Sequence, residues 1–306
     1  MRIAIFGTGA VGGYFGGRLA ASGEDVSFVA RGSHLAALQK SGLRITSPKG
    51  NVHVPVTATD NPAAIGPVDV VVFTVKLYDV DPSAALLAPL VGPDTVVITL
   101  QNGVEAVGMV ARHVGPDHVA GGVAYIVAVM DEPGHVRHTT ADRLVFGESD
   151  HRPSGRLERF KEAGRKAGFT ADLTTNIDLE LWIKFVRLTT WSGMTSATRS
   201  SMGVIRQHPA LLTMMDAMIE EAMAVGRARG IAFPGGIAEA SRQMVENFPA
   251  ESKSSMLEDL ERGRRLELPW LSGAVARMGE DAGVETPTHS FINAILKPHQ
   301  AGASRP

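Results

Sequence analysis

The chain has no cysteine, which excludes disulfides, thiolate nucleophiles and cysteine-ligated zinc and agrees with a reducing compartment. Charge of one sign is lacking too. Thirty Lys and Arg stand against 32 Asp and Glu, for a formal net charge of -2. Without a basic stripe or polybasic tail, neither nucleic acid nor an anionic membrane is expected as the main partner. No uninterrupted apolar run approaches the ~20 residues needed to span a bilayer. The 10 histidines show no ligand pair with carboxylates at metal spacing, so no metal is expected. The apolar start is one strand long and runs straight into glycines, unlike a signal peptide, and a cytoplasmic location is the expectation. What remains is ordinary for a globular protein with a real core: 44% hydrophobic and 20% charged residues over 306 positions, a length that suggests two domains.

Glycine is where the chain departs from the ordinary. In the opening stretch MRIAIFGTGAVGGYFGG, Ile3 to Phe6 is an apolar strand and Tyr14 to Ala21 reads as the body of a helix. Between them Gly7, Gly9 and Gly12 fall at G-x-G-x-x-G spacing. Strand, glycine turn and helix in that order predict a dinucleotide-binding βαβ unit. The first glycine turns the chain, the second lets a pyrophosphate approach the backbone, and the third allows close helix–strand packing. Gly7, Thr8, Gly9, Ala10, Val11 and Gly12 are therefore expected to hold the cofactor phosphates, with the helix start turning its N–H groups toward them. Asp25 to Ala30 reads as the second strand. An acidic residue at its end would favour NAD(H), but the strand ends in Ala30-Arg31-Gly32. A guanidinium there suits a 2′-phosphate, so NADP(H) is expected.

Leu43 to Val56 alternates around Pro48-Lys49-Gly50 and reads as a hairpin. Val68 to Val75 and Thr95 to Leu100 are buried parallel strands by their continuous apolar character. They end at Lys76 and at Gln101-Asn102-Gly103, followed by a helix to about His113. Lys76 and Asn102 thus mark the carboxyl edge of a sheet, where ligands bind in open α/β folds. Val119 to Glu148 reads as a meander, Pro153 to Ala167 as a helix and Phe169 to Leu173 as a last strand. Thr175 then caps a new helix, with Asp178 at capping-box spacing. The predicted boundary follows: an α/β domain over 1–174 with a mostly parallel sheet, and an all-α domain over 175–306 whose tail from Lys297 looks low in order.

Two patches in the helical half carry charge on apolar faces. Lys184 shares a helical face with Leu188, Trp191 and Thr195, and either reaches solvent or is held by a partner. Ser254 reads as the cap of a helix, and Glu267 sits between Leu266 and Leu268. That carboxylate pairs with Lys184 or belongs to a solvated charged run. The methionine-rich stretch from Leu211 to Met223 reads as packed core.

These elements occur in one order: the glycine fingerprint, Arg31-Gly32, Thr74-Val75-Lys76, Gln101-Asn102-Gly103, Leu181-Trp182-Ile183-Lys184, Ser254-Ser255-Met256-Leu257, Glu267 and Thr286-Pro287-Thr288-His289. Together they resemble the ketopantoate reductase (2-dehydropantoate 2-reductase) family over nearly the whole chain. The resemblance implies an N-terminal Rossmann-type domain, a helical substrate and catalytic domain, and NADPH-dependent reduction of a 2-oxo acid to the 2-hydroxy acid. The default substrate is ketopantoate, giving pantoate in pantothenate biosynthesis. By the same resemblance Lys184 is the general acid and Glu267 the catalytic carboxylate that contacts substrate. Lys76 contacts the cofactor, Asn102 both cofactor and substrate, and Ser255 the substrate. Family members carry asparagines four and eight residues after the lysine. Here those positions are Leu188 and Ser192, leaving Ser192 as the polar group of that substrate wall. Two alternatives stay open: a paralogous reductase of a less polar carbonyl or imine, and a non-catalytic NADP-binding sensor. The oligomeric state is open to a homodimer.

Overall fold

The structure is a computed structural model and describes residues 1–303. The chain folds as two compact units, Met1–Gln101 with Glu105–Ile177, and Asn102–Val104 with Asp178–Pro306. The expected junction at 174/175 lies just ahead of this division. The transfer of residues 102–104 to the second unit has no counterpart in the sequence reading. Its physical reason is Val104, which packs on the second unit's apolar core.

The first unit is built on one ten-stranded sheet. Its strands are β1 (Arg2–Phe6), β2 (Asp25–Val29), β3 (Leu43–Thr46), β4 (Val52–Val54), β5 (Thr57–Thr59), β6 (Val68–Phe73), β7 (Val91–Thr99), β8 (Val119–Glu132), β9 (His135–Glu148) and β10 (Thr170–Leu173). The order is β4-β3-β9-β8-β7-β6-β1-β2-β5, with β10 paired to β9. All neighbours run parallel except β3 with β4 and β8 with β9. The expected hairpin over 43–56 is therefore present, and of the two or three strands expected over 119–148 there are two, paired as one long antiparallel hairpin. β6 ends at Phe73, two residues before the end of its apolar run, although Thr74 N still donates to the Phe6 carbonyl of β1 at 2.8 Å. Chain direction from β1 goes first to β2 on one side and later to β6 on the other, which makes the β1/β6 carboxyl edge a topological switch point.

Five helices cover the sheet: α1 (Ala10–Ala21), α2 (Gly32–Ser41), α3 (Val80–Ala84), α4 (Ala106–Val114) and α5 (Gly155–Lys166). α1 is poor in helix-forming side chains, and its packing explains why. A Cβ at Gly16 would stand 2.5 Å from Ile5 Cγ1 and 2.7 Å from Phe28 Cε1, so only glycine lets the helix lie this close to β1 and β2. The end of β9 is tied to α5 by an ion pair. Arg156 Nε and Nη2 each lie 2.7 Å from an oxygen of Glu148, the last residue of β9. Nη2 also donates to the Asp117 carbonyl and Nη1 to that of Thr95, while Ser154 caps α5 beside them.

The second unit is helical: α6 (Ile177–Thr198), α7 (Met202–Ile205), α8 (Pro209–Ala228), α9 (Ile237–Glu246), α10 (Ser255–Glu261), α11 (Ser272–Ala282) and α12 (Pro287–Leu296). Its core is rich in methionine, including Met194, Met215, Met218, Met223 and Met278, as the run from Leu211 to Met223 suggests. Glu221 is held in that core by the N–H groups of Thr288 and His289, which it accepts at 2.9 Å each, so a carboxylate closes the start of α12. The tail is more ordered than its composition suggests. Lys297–His299 forms a helical turn, and Ala303 N donates to the Gly263 carbonyl. Residues 304–306 lie outside the described residues. None of the described helices is long and apolar enough to cross a membrane.

Removing the acid from the Glu148–Arg156 pair strands a guanidinium that is mostly enclosed. Glu148→Ala is expected to lower unfolding free energy by roughly 2–4 kcal/mol. Urea denaturation checks this, with a lower midpoint at unchanged slope as the expected result.

Candidate functional site

The first unit offers a phosphate cradle at the switch point. Gly7 leaves β1 with φ +97°, a left-handed conformation that glycine adopts without strain. The loop is pinned from both neighbouring strands. Gly7 N and Thr8 N donate to the Val29 carbonyl at the end of β2. Thr74 Oγ1, just past β6, donates to the Gly7 carbonyl at 2.5 Å. Gly9 is the N-cap of α1, brings no capping side chain, and would aim a Cβ into open space. Ala10, Val11 and Gly12 form the first turn of α1, which carries no acidic residue. A Cβ at Gly12 would stand 2.6 Å from the Gly7 carbonyl oxygen, so the turn and the helix close on each other only with glycine there. An uncapped helix start, open above its backbone and free of negative charge, fits the pyrophosphate of a dinucleotide.

Arg31 is exposed at the end of β2 and is the N-cap of α2. Its position and charge fit a 2′-phosphate. Lys76 follows β6 and leads into the helical turn Leu77–Asp79, half-buried at the same carboxyl edge. Gln101 Nε2 ties this edge together by donating to the carbonyls of Phe73 and Val75. Two contacts here have no counterpart in the sequence reading. Thr74, there only a part of the Thr74-Val75-Lys76 element, holds the glycine loop directly. The ring of His34 accepts from Gly134 N–H at Nδ1, and burial lowers its pKa, with the Thr8 backbone opposing that shift. Their signal lies in tertiary partners and is absent from local spacing.

In the second unit the structure brings Lys184 and Glu267 together. Lys184 is on α6 and half-buried, while Glu267, 5% exposed, precedes the turn Leu268–Trp270. Burial pushes the Lys184 ammonium down to about 8, and the negative charge of Glu267 opposes the fall. Of the two readings of Lys184, the structure favours the partnered one over escape to solvent.

Ser254 and Ser255 open α10, the first buried and the second exposed. Ser254 Oγ accepts from Leu257 N at 3.1 Å and meets Thr195 Oγ1 at 2.7 Å. Thr195 Oγ1 in turn donates to the Trp191 carbonyl at 2.8 Å. This chain of bonds satisfies both buried hydroxyls and fixes the start of α10, hence Ser255, against the α6 stripe that carries Lys184. Ser192 is placed differently. It is buried, and its hydroxyl donates to the Thr189 carbonyl of its own helix. Asn102 is half-buried and groups with the helical unit, next to Gly103 with φ +88°. Among the described residues no cluster of three or more His, Asp or Glu could hold a metal ion.

The Lys184 titration follows from this geometry and is read by NMR of lysine Cε resonances against pH. A midpoint near 8 is expected. Glu267→Gln removes the opposing charge and is expected to move the midpoint lower. A midpoint in the ordinary lysine range, or one indifferent to that substitution, would contradict the pairing.

Comparison with known proteins agrees with this architecture. The family model for ketopantoate reductase PanE/ApbA matches residues 3–151, and the model for its C-terminal domain matches residues 176–300. The chain is 33% identical to 2-dehydropantoate 2-reductase of Mesorhizobium japonicum, covering 97% of each sequence. It is also 33% identical to the enzyme of that name from Archaeoglobus fulgidus, covering 98% of each. The crystal structure of a PanE/ApbA family ketopantoate reductase from Ralstonia eutropha JMP134 superposes with TM-score 0.91 at 31% identity over 98% of both chains. With both domains matched and relatives similar along the full length, the chain belongs to the ketopantoate reductase family of oxidoreductases.

Proposed function

We propose that the protein reduces a 2-oxo acid to the corresponding 2-hydroxy acid with NADPH. The observation that carries this reading is a lysine held near pKa 8 beside a buried glutamate, in a chain that also has a complete dinucleotide cradle. NADPH, when bound, supplies the hydride to the substrate's C2 carbon. In this reading Gly7 to Gly12 receive the pyrophosphate, Arg31 the 2′-phosphate, and Lys76 and Asn102 the rest of the cofactor.

Lys184 is the general acid. Its ammonium stabilises the negative charge that develops on the carbonyl oxygen and donates the proton that completes the alcohol. A lowered pKa makes that proton easier to release, while Glu267 keeps the group protonated at neutral pH. Ser255 and Asn102 orient the substrate, and Glu267 contacts it on the side of the lysine. Ketopantoate, the substrate in the names of the curated relatives, is the reference substrate, and pantoate for pantothenate biosynthesis the corresponding product. A small-molecule partner and a cytoplasmic setting belong to the same reading. A second reading, a reductase of a less polar carbonyl, is favoured by Leu188 and by the inward-bonded hydroxyl of Ser192.

Loss of NADPH absorbance on mixing with ketopantoate and other branched 2-oxo acids is the direct assay. Lys184→Ala is expected to lower kcat by about 10²- to 10⁴-fold. Turnover of no 2-oxo acid, or a kcat indifferent to that change, would leave a nucleotide-binding sensor as the better description. Cofactor choice has its own check. Arg31→Ala is expected to raise KM for NADPH by about 10- to 100-fold and to leave KM for NADH nearly unchanged.

A further inference from the structure

The N–H groups of the glycine loop are not all open to a ligand. Gly7 N and Thr8 N both donate to the Val29 carbonyl at 3.2 Å, and the Thr8 hydroxyl donates to the same oxygen at 3.0 Å. Gly9 N donates to the Gly7 carbonyl at 2.7 Å. The first bond into α1 runs from Gly13 N to the Gly9 carbonyl. The donors left for a phosphate are therefore those of Ala10, Val11 and Gly12, and their aim depends on how Gly7 to Gly9 is held.

One side chain holds that segment from the β6 side. Thr74 is tied to β1 by its own N–H, which donates to the Phe6 carbonyl at 2.8 Å, and its hydroxyl donates to the Gly7 carbonyl at 2.5 Å. That oxygen also receives Gly9 N, so the hydroxyl and the turn meet at one acceptor. Gly12 completes the arrangement. A Cβ there would stand 2.5 Å from Thr74 Oγ1, 2.6 Å from the Gly7 oxygen and 2.9 Å from Ile5 Cγ2. The third glycine of the fingerprint thus makes room for this hydrogen bond as well as for packing on β1. On the other side of Thr74, the buried Gln101 amide donates to the carbonyls of Phe73 and Val75 at 2.9 and 3.1 Å. The residue that carries the hydroxyl is fixed between β1 and the end of β7.

We propose that Thr74, held in place by Gln101, is a positioning residue for the cofactor: its hydroxyl sets Gly7 and so aims the free N–H groups of Ala10 to Gly12 at the pyrophosphate. The proposal rests on the reading of this loop as the dinucleotide cradle. Because the pyrophosphate is common to NADPH and NADH, the effect of Thr74 falls on both alike, unlike that of Arg31.

Affinity is read from the change in NADPH and NADH fluorescence on binding, a measurement that needs no substrate. Thr74→Ala deletes the bond and is expected to raise Kd about 5- to 20-fold for both cofactors. Thr74→Val, which keeps the volume, is expected to act in the same direction. Thr74→Ser keeps the oxygen and is expected to stay within about threefold of the unaltered protein. Gln101→Leu is expected to raise both Kd values about 3- to 10-fold, and its combination with Thr74→Ala to fall short of the product of the two, since both act on one segment. Urea midpoints establish that each variant is folded during the titration. Kd values unchanged in folded Thr74→Ala and Thr74→Val overturn the proposal and leave the cradle reading intact. So does a rise confined to NADPH, which marks a contact at the 2′-phosphate, or an equal loss in Thr74→Ser, which marks the methyl group. A double variant that shows the full product removes Gln101 from the assignment. Binding of neither cofactor by the unaltered protein overturns the proposal together with the reading it rests on.

Discussion

A cation removed from water and kept charged by one carboxylate is the interaction on which the rest of this protein depends. Burial lowers the pKa of Lys184 and the charge of Glu267 opposes the fall, which ends at about 8. The arrangement has a thermodynamic signature. Between about 8 and the unperturbed 10.5 the unfolded chain binds the Lys184 proton and the folded chain does not. Stability contributed by this group therefore rises with pH through that window, and near neutrality the charged lysine is a cost that the fold must offset. Such a cost is common where a side chain is held for chemistry. The surrounding helical core, methionine-rich and closed by the Glu221 carboxylate at the start of α12, provides the rigidity that keeps the pair in place.

The sheet unit meets a simpler constraint, the close approach of backbone to phosphate. Three features converge on Gly7 to Gly12: a left-handed turn, an uncapped helix start and a hydroxyl from Thr74 that ties the loop to β6. None depends on a charged side chain, so the cradle is set by backbone geometry, and in the proposed reading discrimination between the two cofactor forms falls to Arg31. The strand order around β1 is what puts these parts at one edge, since β2 and β6 run parallel to it on opposite sides. Binding of the common part of a dinucleotide and choice between its two forms are thus separable in this fold.

Much of this was legible in the chain itself, for identifiable reasons. Glycine spacing marks the cradle because only residues without a Cβ fit at Gly7 and Gly12. Continuous β-branched runs mark β6 and β7 because both faces are covered. Lys184 stood out as a cation on an apolar helical face. What could not be read depends on partners distant in sequence. Thr195 and Ser254 are 59 residues apart, and nothing local to either predicts their bond. The stacking of Trp191 on Phe248, the inward turn of the Ser192 hydroxyl and the passage of Asn102–Val104 to the helical unit are of the same kind. Ser192 shows the difference most clearly. The family resemblance marks it as a polar group for substrate, but its hydroxyl donates to the Thr189 carbonyl of its own helix.

Family membership and geometry meet in the claim that one lysine moves the proton in both directions of a carbonyl–alcohol interconversion. The most direct measurement is the pH dependence of kcat/KM for the 2-oxo acid and, separately, for the 2-hydroxy acid with oxidised cofactor. Reduction needs Lys184 protonated and should fall about tenfold per pH unit above a midpoint near 8, while oxidation needs it neutral and should rise through the same midpoint. Profiles that pass through that region flat, or that fall together, would contradict the account.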